Sequence, residues 1–406
     1  MKTIYFANHA QFEGRFTNLG DWAIFEQMMD ALSEKIDLGH LRVLVSSADP
    51  EYTNANYPAK TFQRGGLRGI YNTIKCIAQS DVVLIGGGEI VQDLSSMVYI
   101  PYQLIKPFVA KLFGKKLFAY AIGVGEKEEI SWIGKLQAKT VLNMFDIITV
   151  RDQKSYDILK GYLNVSKPMI YLTADPALNL KKQQKDTDEI FKGDYVVMSC
   201  RSVYHRVRSL LPFSVRKKLN LVPKEYYKEI EVFKNCMASI ADYLICKYGM
   251  NVYFLNTYTG KSMSAMDDKF TLDIIGRMSC QDKDRIHTIS SDLRPCEIKT
   301  VLSKAKMVVS VPLHPLILSA AEAVPSISFA YASKSWCFME QVGLQNYINK
   351  VMYITDKVDL VRVQQQIDEI MNNYERITTS LKETVDNLKH LEKKNVQLLL
   401  ALLAEL

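Results

Sequence analysis

Short apolar runs rich in β-branched residues recur along this chain, and most end in glycine, aspartate, arginine or histidine before a helical stretch begins. That alternation means repeated βα units, which build a parallel sheet wound with helices. In such sheets ligands sit at the carboxyl ends of strands, where helix N-termini point their amides. The strand ends are therefore where chemistry is expected.

In the C-terminal half the stretch 306–336, KMVVSVPLHPLILSAAEAVPSISFAYASKSW, holds two such ends. A strand over 307–311 stops at Pro312, Leu313 and His314, and a helix is predicted from Pro315, since proline suits a first helical position. A second strand over 326–330 leads to Tyr331, Ala332, Ser333 and Lys334. His314 is a proton carrier and Lys334 an anion-binding point charge, on consecutive strand ends. A capping histidine and a solvated lysine are the plain structural alternatives. Upstream, a strand over 195–199 ends at Cys200 and Arg201, whose guanidinium fork suits a carboxylate or phosphate if it is not simply on the surface. Asp267, Asp268 and Asp273 lack metal-ligand spacing and read as solvated.

In the N-terminal half a strand over 3–7 is followed by the loop 8–17, then Asn18, Leu19, Gly20 and Asp21, then a helix over 22–35. Asp21 can cap that helix or take a proton, and Gly20 allows close backbone approach. A buried strand then runs into Gly86, Gly87 and Gly88, with Gln92 and Asp93 just beyond. Such a turn exposes amides and leaves room for a polar ligand, although a tight turn without one is the alternative. It is not the GxGxxG dinucleotide fingerprint. Further strands end at Ala121-Ile122-Gly123, at Val150-Arg151-Asp152 with Ser155, and at Asp175-Pro176. The run 60–68, KTFQRGGLR, reads as a loop.

At 406 residues the chain is too long for one ordinary core. Two α/β domains are expected, 1–185 and 193–356, joined through the polar stretch 181–193. A helical tail, 357–406, follows. Its apolar residues Leu360, Val363, Ile367, Ile370, Tyr374, Ile377 and Leu381 fall at spacings of three and four, giving one seam. That seam suits a helix crossing back over the N-terminal domain or a coiled coil, and 396–403 could serve a homo-oligomer contact.

The seven cysteines are scattered without a CxxC pair, which argues against a disulfide framework or structural zinc and fits a reducing cytoplasm. The first residues, MKTIYFANHAQFEGRF, lack a signal-peptide pattern, and no apolar run is long enough to span a bilayer. A net charge of +7 without an aromatic-basic module does not indicate nucleic acid. The segment 204–218, YHRVRSLLPFSVRKK, surrounds Leu210, Leu211 and Phe213 with five basic residues. Such a segment suits an anionic membrane surface, a solvated loop or a partner contact.

Taken in order, Asn18-Leu19-Gly20-Asp21, the triple glycine with Gln92-Asp93, Ala121-Ile122-Gly123, Val150-Arg151-Asp152 with Ser155, Asp175-Pro176, and Leu313-His314 with Lys334 resemble the polysaccharide pyruvyl transferase family over roughly residues 1–345. The resemblance implies two Rossmann-like domains facing across a cleft, as in B-type glycosyltransferases. It implies transfer of an enolpyruvyl-derived unit from phosphoenolpyruvate onto two hydroxyls of one sugar, without metal or cofactor. It implies His314 as the acid–base residue, with Arg201, Leu313 and Lys334 at the donor. The acceptor falls to Asn18, Gly20, Asp21, Gly87, Gly88, Gln92 and Asp93, where Asp21 or Asp93 would orient or deprotonate hydroxyls. Lipid-linked glycans at the inner membrane face are the implied acceptors. One departure stands out: the family's arginine two residues before the histidine is Pro312 here, leaving Arg201, Lys304, Lys306 or Lys334 to replace it. A nucleotide-sugar glycosyltransferase and an inactive glycan-binding member are the competing readings.

Overall fold

The computed structural model describes residues 1–7, 18–47, 49–94, 96–183, 191, 193–204, 207–258, 264–289 and 293–406. The predicted loop 8–17, most of the stretch 184–192, and His205 and Arg206 lie outside them. The chain divides into two units. The first comprises Met1–Asn179, Arg208–Leu211 and Leu388–Leu406; the second comprises Leu180–Val207 and Pro212–Asn387.

The first unit begins β1 (Lys2–Phe6), α1 (Leu19–Ser33), β2 (Leu41–Ser47), α2 (Pro50–Asn56), β3 (Lys60–Gln63) and α3 (Gly66–Gln79). It continues with β4 (Val82–Gly86), β5 (Glu89–Val91), α4 (Tyr99–Leu112), β6 (Lys116–Val124) and α5 (Trp132–Leu142). It closes with β7 (Ile147–Val150), α6 (Gln153–Asp157) and β8 (Met169–Leu172). Its sheet runs β3-β2-β1-β4-β6-β7-β8, with β5 also on β6, and every pairing is parallel.

Successive residues of a strand point to opposite faces, so one sheet buries two cores. Tyr5, Val83, Ile85, Leu117 and Ala119 belong to the core that includes Cys76 and Ile77 of α3, Leu104 of α4 and Ala138 of α5. Phe6 meets Phe25 of α1 edge-on at 5.6 Å.

The second unit opens with β9 (Tyr195–Ser199), α7 (Phe213–Lys218), α8 (Lys224–Tyr248), β10 (Asn251–Phe254), α9 (Ser264–Ile275) and β11 (Ile286–Thr288). Next come α10 (Pro295–Ser303), β12 (Met307–Ser310), α11 (Leu313–Ala320), β13 (Ser326–Ala330), α12 (Ser333–Gln341) and β14 (Ile348–Lys350). Its parallel sheet is ordered β11-β10-β9-β12-β13-β14. In both sheets the order reverses beside the first strand, at β1/β4 and at β9/β12, which is where such folds take their ligands.

Several expectations need correction. The run 60–68 is not a loop: it forms β3 and opens α3, because a polar edge strand needs little apolar patterning. The helix expected at 22 starts at Leu19, and Asn18 caps it, its Oδ1 accepting from Gly20 N at 3.0 Å. Asp21 therefore sits in the first turn and is not the cap. The tail is three helices, α13 (Leu360–Asn372), α14 (Tyr374–Glu392) and α15 (Lys394–Ala404). Val363, Ile367, Ile370, Ile377 and Leu381 of the seam are buried. Val396, Leu399, Leu402 and Leu403 are buried too, with α15 on α1 and β6, so they face their own chain and are closed to a second copy.

Candidate active site

In the second unit the sheet order brings the ends of β9, β12 and β13 side by side. Arg201, just past β9, lies with its guanidinium 5.9 Å from the centre of the Tyr331 ring, past β13. The Lys334 ammonium lies 5.4 Å from the same ring. Two cations from two strand ends thus converge on one aromatic ring, whose π face favours both. Burial opposes the charge of Arg201, but Tyr331, Asp267 and Tyr258 outweigh it, so the guanidinium is held charged.

Asp267, in the first turn of α9, is the counter-charge. Burial pushes its carboxyl up to about 6, while Arg201 pulls the other way. Its Oδ2 has no hydrogen-bond partner among the described atoms. Asp267 and Arg201 border a cavity of about 400 Å³ between α8 and α9, with Tyr226, Tyr258, Lys234 and Phe270 in its wall. The reading of three solvated aspartates fails here because α9 packs on α8. Asp268 accepts from Asn256, and Asp273 pairs with Lys234 at 3.0 Å. Asp267, Tyr258 and Tyr331 had no motif to reveal them; only the approach of β9, α9 and β13 does.

His314 is the second residue of α11 and half-buried, beside the buried Leu313. The helix begins at Leu313, two residues earlier than expected, with Pro312 as its cap residue and Pro315 still in the first turn, where the ring is tolerated. The Pro312 carbonyl accepts from Ser310 Oγ at 2.7 Å. Lys304 and Lys306 cannot replace the missing arginine. Lys306 precedes β12, 3.8 Å from Asp194, and six extended residues to Pro312 span roughly 20 Å. Of the four candidates, Arg201 and Lys334 are the cations at the carboxyl end.

In the first unit the motif residues hold one another. Gly86 is required by sheet packing: a Cβ there would stand 2.5 Å from the Tyr120 carbonyl oxygen. Gly87, at φ +76°, turns the chain and donates to that same oxygen at 2.9 Å. A Cβ on Gly88 would meet nothing within 4 Å, so the turn opens onto free space. Arg151 and Asp175 are both buried and pair at 2.9 Å. Asp152 caps α6 through Ser155 N at 2.7 Å, and Ser155 Oγ accepts from Val124 N at 2.9 Å.

Gln92 and Asp93 are buried. Asp93 Oδ1 accepts from Ser131 N at 2.9 Å, Oδ2 accepts from Ser131 Oγ, and Arg208 Nε stands 3.6 Å away. Asp93 thus anchors the residue that caps α5. Asn18 and Asp21 are half-buried and Gly20 buried at the head of α1. Lys106, unremarked in the sequence, reaches from α4 to the Ala7 carbonyl beyond β1. Burial, with Arg64, brings its ammonium down to about 8. Among the described residues no cluster of three or more His, Cys, Asp or Glu is arranged to hold a metal.

Residues 18–333 match the profile of the family described as Polysaccharide pyruvyl transferase. The chain belongs to that family. It is accordingly an enzyme, a transferase of polysaccharide synthesis. No curated protein matches it significantly. Among solved structures, Anabaena HepE with UDP-glucose is similar at a TM-score of 0.59 and 11% identity, covering 100% of both chains. S. aureus MnaA with UDP gives 0.58 and 13%, over 95% of this chain and 91% of that one. The Neisseria meningitidis UDP-GlcNAc 2-epimerase bound to UDP-GlcNAc gives 0.58 and 12%, over 99% and 100%. At these identities the likeness is one of fold, the two-domain B-type glycosyltransferase architecture.

Proposed function

We propose that this pyruvyl transferase family member takes phosphoenolpyruvate as donor and forms a cyclic pyruvate ketal on two hydroxyls of one sugar. The observation that carries the reading is the convergence of Arg201 and Lys334 on Tyr331. A donor bearing a carboxylate and a phosphate needs two fixed cations, and here two strand ends supply them. Leu313 opens α11 beside them, and its helix amides favour an anion.

His314 protonates the methylene carbon of the donor, and the adjacent carbon becomes electrophilic. One sugar hydroxyl adds there and loses its proton to a base, for which Asp21 is the candidate. The second hydroxyl gives its proton to His314, restoring the imidazolium, as its oxygen displaces phosphate, which leaves with the bonding electrons, and the ring closes. Asn18, Gly20, Gly87 and Gly88 line the acceptor side, with Gln92 and Asp93 shaping it from beneath. No metal or cofactor takes part. The acceptor is a glycan precursor, lipid-linked at the cytoplasmic face of the membrane.

Titration calorimetry with phosphoenolpyruvate, beside UDP and other nucleoside diphosphates, tests the donor. Phosphoenolpyruvate should bind, and Arg201→Ala should weaken it by about 10- to 100-fold, as expected for charge-assisted hydrogen bonds. His314→Gln should keep donor binding and lose phosphate release. Nucleotide binding in place of phosphoenolpyruvate would favour the glycosyltransferase, and undiminished turnover in His314→Gln would refute the acid role.

A further inference from the structure

A surface helix normally turns its apolar stripe inward, and α3 does the reverse. Its inward side is Gly69, Cys76 and Ile77, while Leu67, Ile70, Tyr71 and Ile74 face solvent, Leu67 at 86% and Tyr71 at 65% exposed. Those four positions are one helical stripe. The neighbouring helix repeats the pattern: Tyr102, Ile105, Phe108 and Leu112 of α4 are exposed, Leu112 at 72%. The two helices pack side by side, and Arg64 Nη2 donates to the Tyr102 hydroxyl at 3.2 Å where they begin. On the far side of α4, α5 adds Trp132 at 76% and Leu136. Soluble monomers seldom expose so continuous an apolar surface without a use for it.

The charge on this layer is one-sided. The chain has 44 acidic residues, yet none falls in 60–80, 94–125 or 130–145, which include all of α3, α4 and α5. Arg68, Lys75 and Lys139 lie exposed on the same helices, while Lys111 of α4 is paired with Asp146 at 3.7 Å. The predicted basic-apolar segment joins the layer as well. Arg208–Leu211 belongs to the first unit, where the Ser209 carbonyl accepts from Met97 N at 3.0 Å and the Leu210 carbonyl from Ser96 Oγ at 3.2 Å. Leu210, 68% exposed, thereby lies beside the start of α4 near the exposed Val98. Within that segment Arg208 is tied to the Glu128 carbonyl and Arg216 is buried, so the segment alone is a poor membrane contact.

We propose that the solvent face of α3 and α4, flanked by Trp132 and Leu210, docks the protein on an anionic lipid bilayer. Aromatic and aliphatic side chains enter the headgroup boundary, while arginine and lysine meet lipid phosphates. A second copy is the weaker occupant, since a two-fold contact sets the same acid-free, basic face against itself. The inference is independent of the reaction chemistry, because vesicle binding needs neither donor nor turnover.

The test is co-sedimentation of the full chain with phosphatidylcholine vesicles, with and without phosphatidylglycerol, at low and high salt. Binding should require phosphatidylglycerol and weaken with salt. Leu67→Glu with Ile70→Glu should lower it about tenfold or more, with phosphoenolpyruvate binding and melting temperature unchanged. Arg68→Glu with Lys75→Glu should do likewise, since each cation near the surface contributes about a fivefold factor. Equal sedimentation of both variants and the wild type, or none by the wild type, overturns the proposal. A concentration-dependent dimer that Leu67→Glu abolishes, without vesicle binding, overturns it in favour of self-association.

Discussion

Glu392 offers a quantitative test of how the returning tail belongs to the first unit. It ends α14, is only 1% exposed, and accepts from Asn179, which follows β8. Burial pushes its carboxyl from 4.5 up to about 7, with Asp175 adding to the rise and Asn179, Asn395 and Lys393 opposing it. The folded unit therefore keeps a proton that the unfolded chain releases. Stability from this group is fully present below 4.5 and is lost as pH rises through about 7. The shift corresponds to about 3 kcal/mol between those limits. Glu392→Gln, permanently neutral, should abolish that part of the pH dependence, so its advantage over the parent should grow to about 3 kcal/mol by pH ~8. The chain has three tryptophans, of which Trp22 and Trp132 lie in the first unit. In a Trp336→Phe background, urea unfolding followed by tryptophan fluorescence at several pH values reports that unit. Parallel pH profiles for the parent and Glu392→Gln would refute the reasoning.

Three further substitutions can be followed in the same assay. Gly86→Ala should destabilise the first unit by about 1–3 kcal/mol or more, because its Cβ meets backbone that cannot move without parting β4 from β6. Gly88→Ala should leave stability within about 0.5 kcal/mol yet raise the acceptor KM; unchanged kinetics would remove that turn from the acceptor site. Asp93→Ala should destabilise by about 2–3 kcal/mol, since it strips the anchor from Ser131 and the charge partner from Arg208. An unchanged unfolding midpoint would exclude the anchoring role.

Much of the site's scaffold was legible because strand ends are written locally. Val150-Arg151-Asp152 with Ser155 is a strand, a buried cation, a cap and the donor it caps, all within six residues. The partner of Arg151 is Asp175, at the next strand end, and pairing β7 with β8 is what joins two motifs into one ion pair. Asp93 shows the limit of such reading. A polar residue after a glycine turn suits a ligand site, but the fold directs its carboxylate onto Ser131. Asp267 shows the converse, a loop-region aspartate without a motif that becomes a buried neighbour of Arg201. The stretch 396–403, left open as an oligomer contact, shows that an apolar helix records only that it is covered, not by what: its apolar side lies against α1 and β6.

The sequence by itself determined the βα repeat, the two parallel sheets, the ordered strand-end motifs and membership in a pyruvyl transferase family. Hydrophobic period and turn chemistry act over a few residues and can be read there. Tertiary structure alone decided which strand ends became neighbours. It set Arg201 and Lys334 on one tyrosine, left Lys306 at the wrong end of β12, and turned the apolar stripe of α3 outward. Those outcomes depend on contacts between residues distant in the chain, and burial and electrostatics are properties of that proximity.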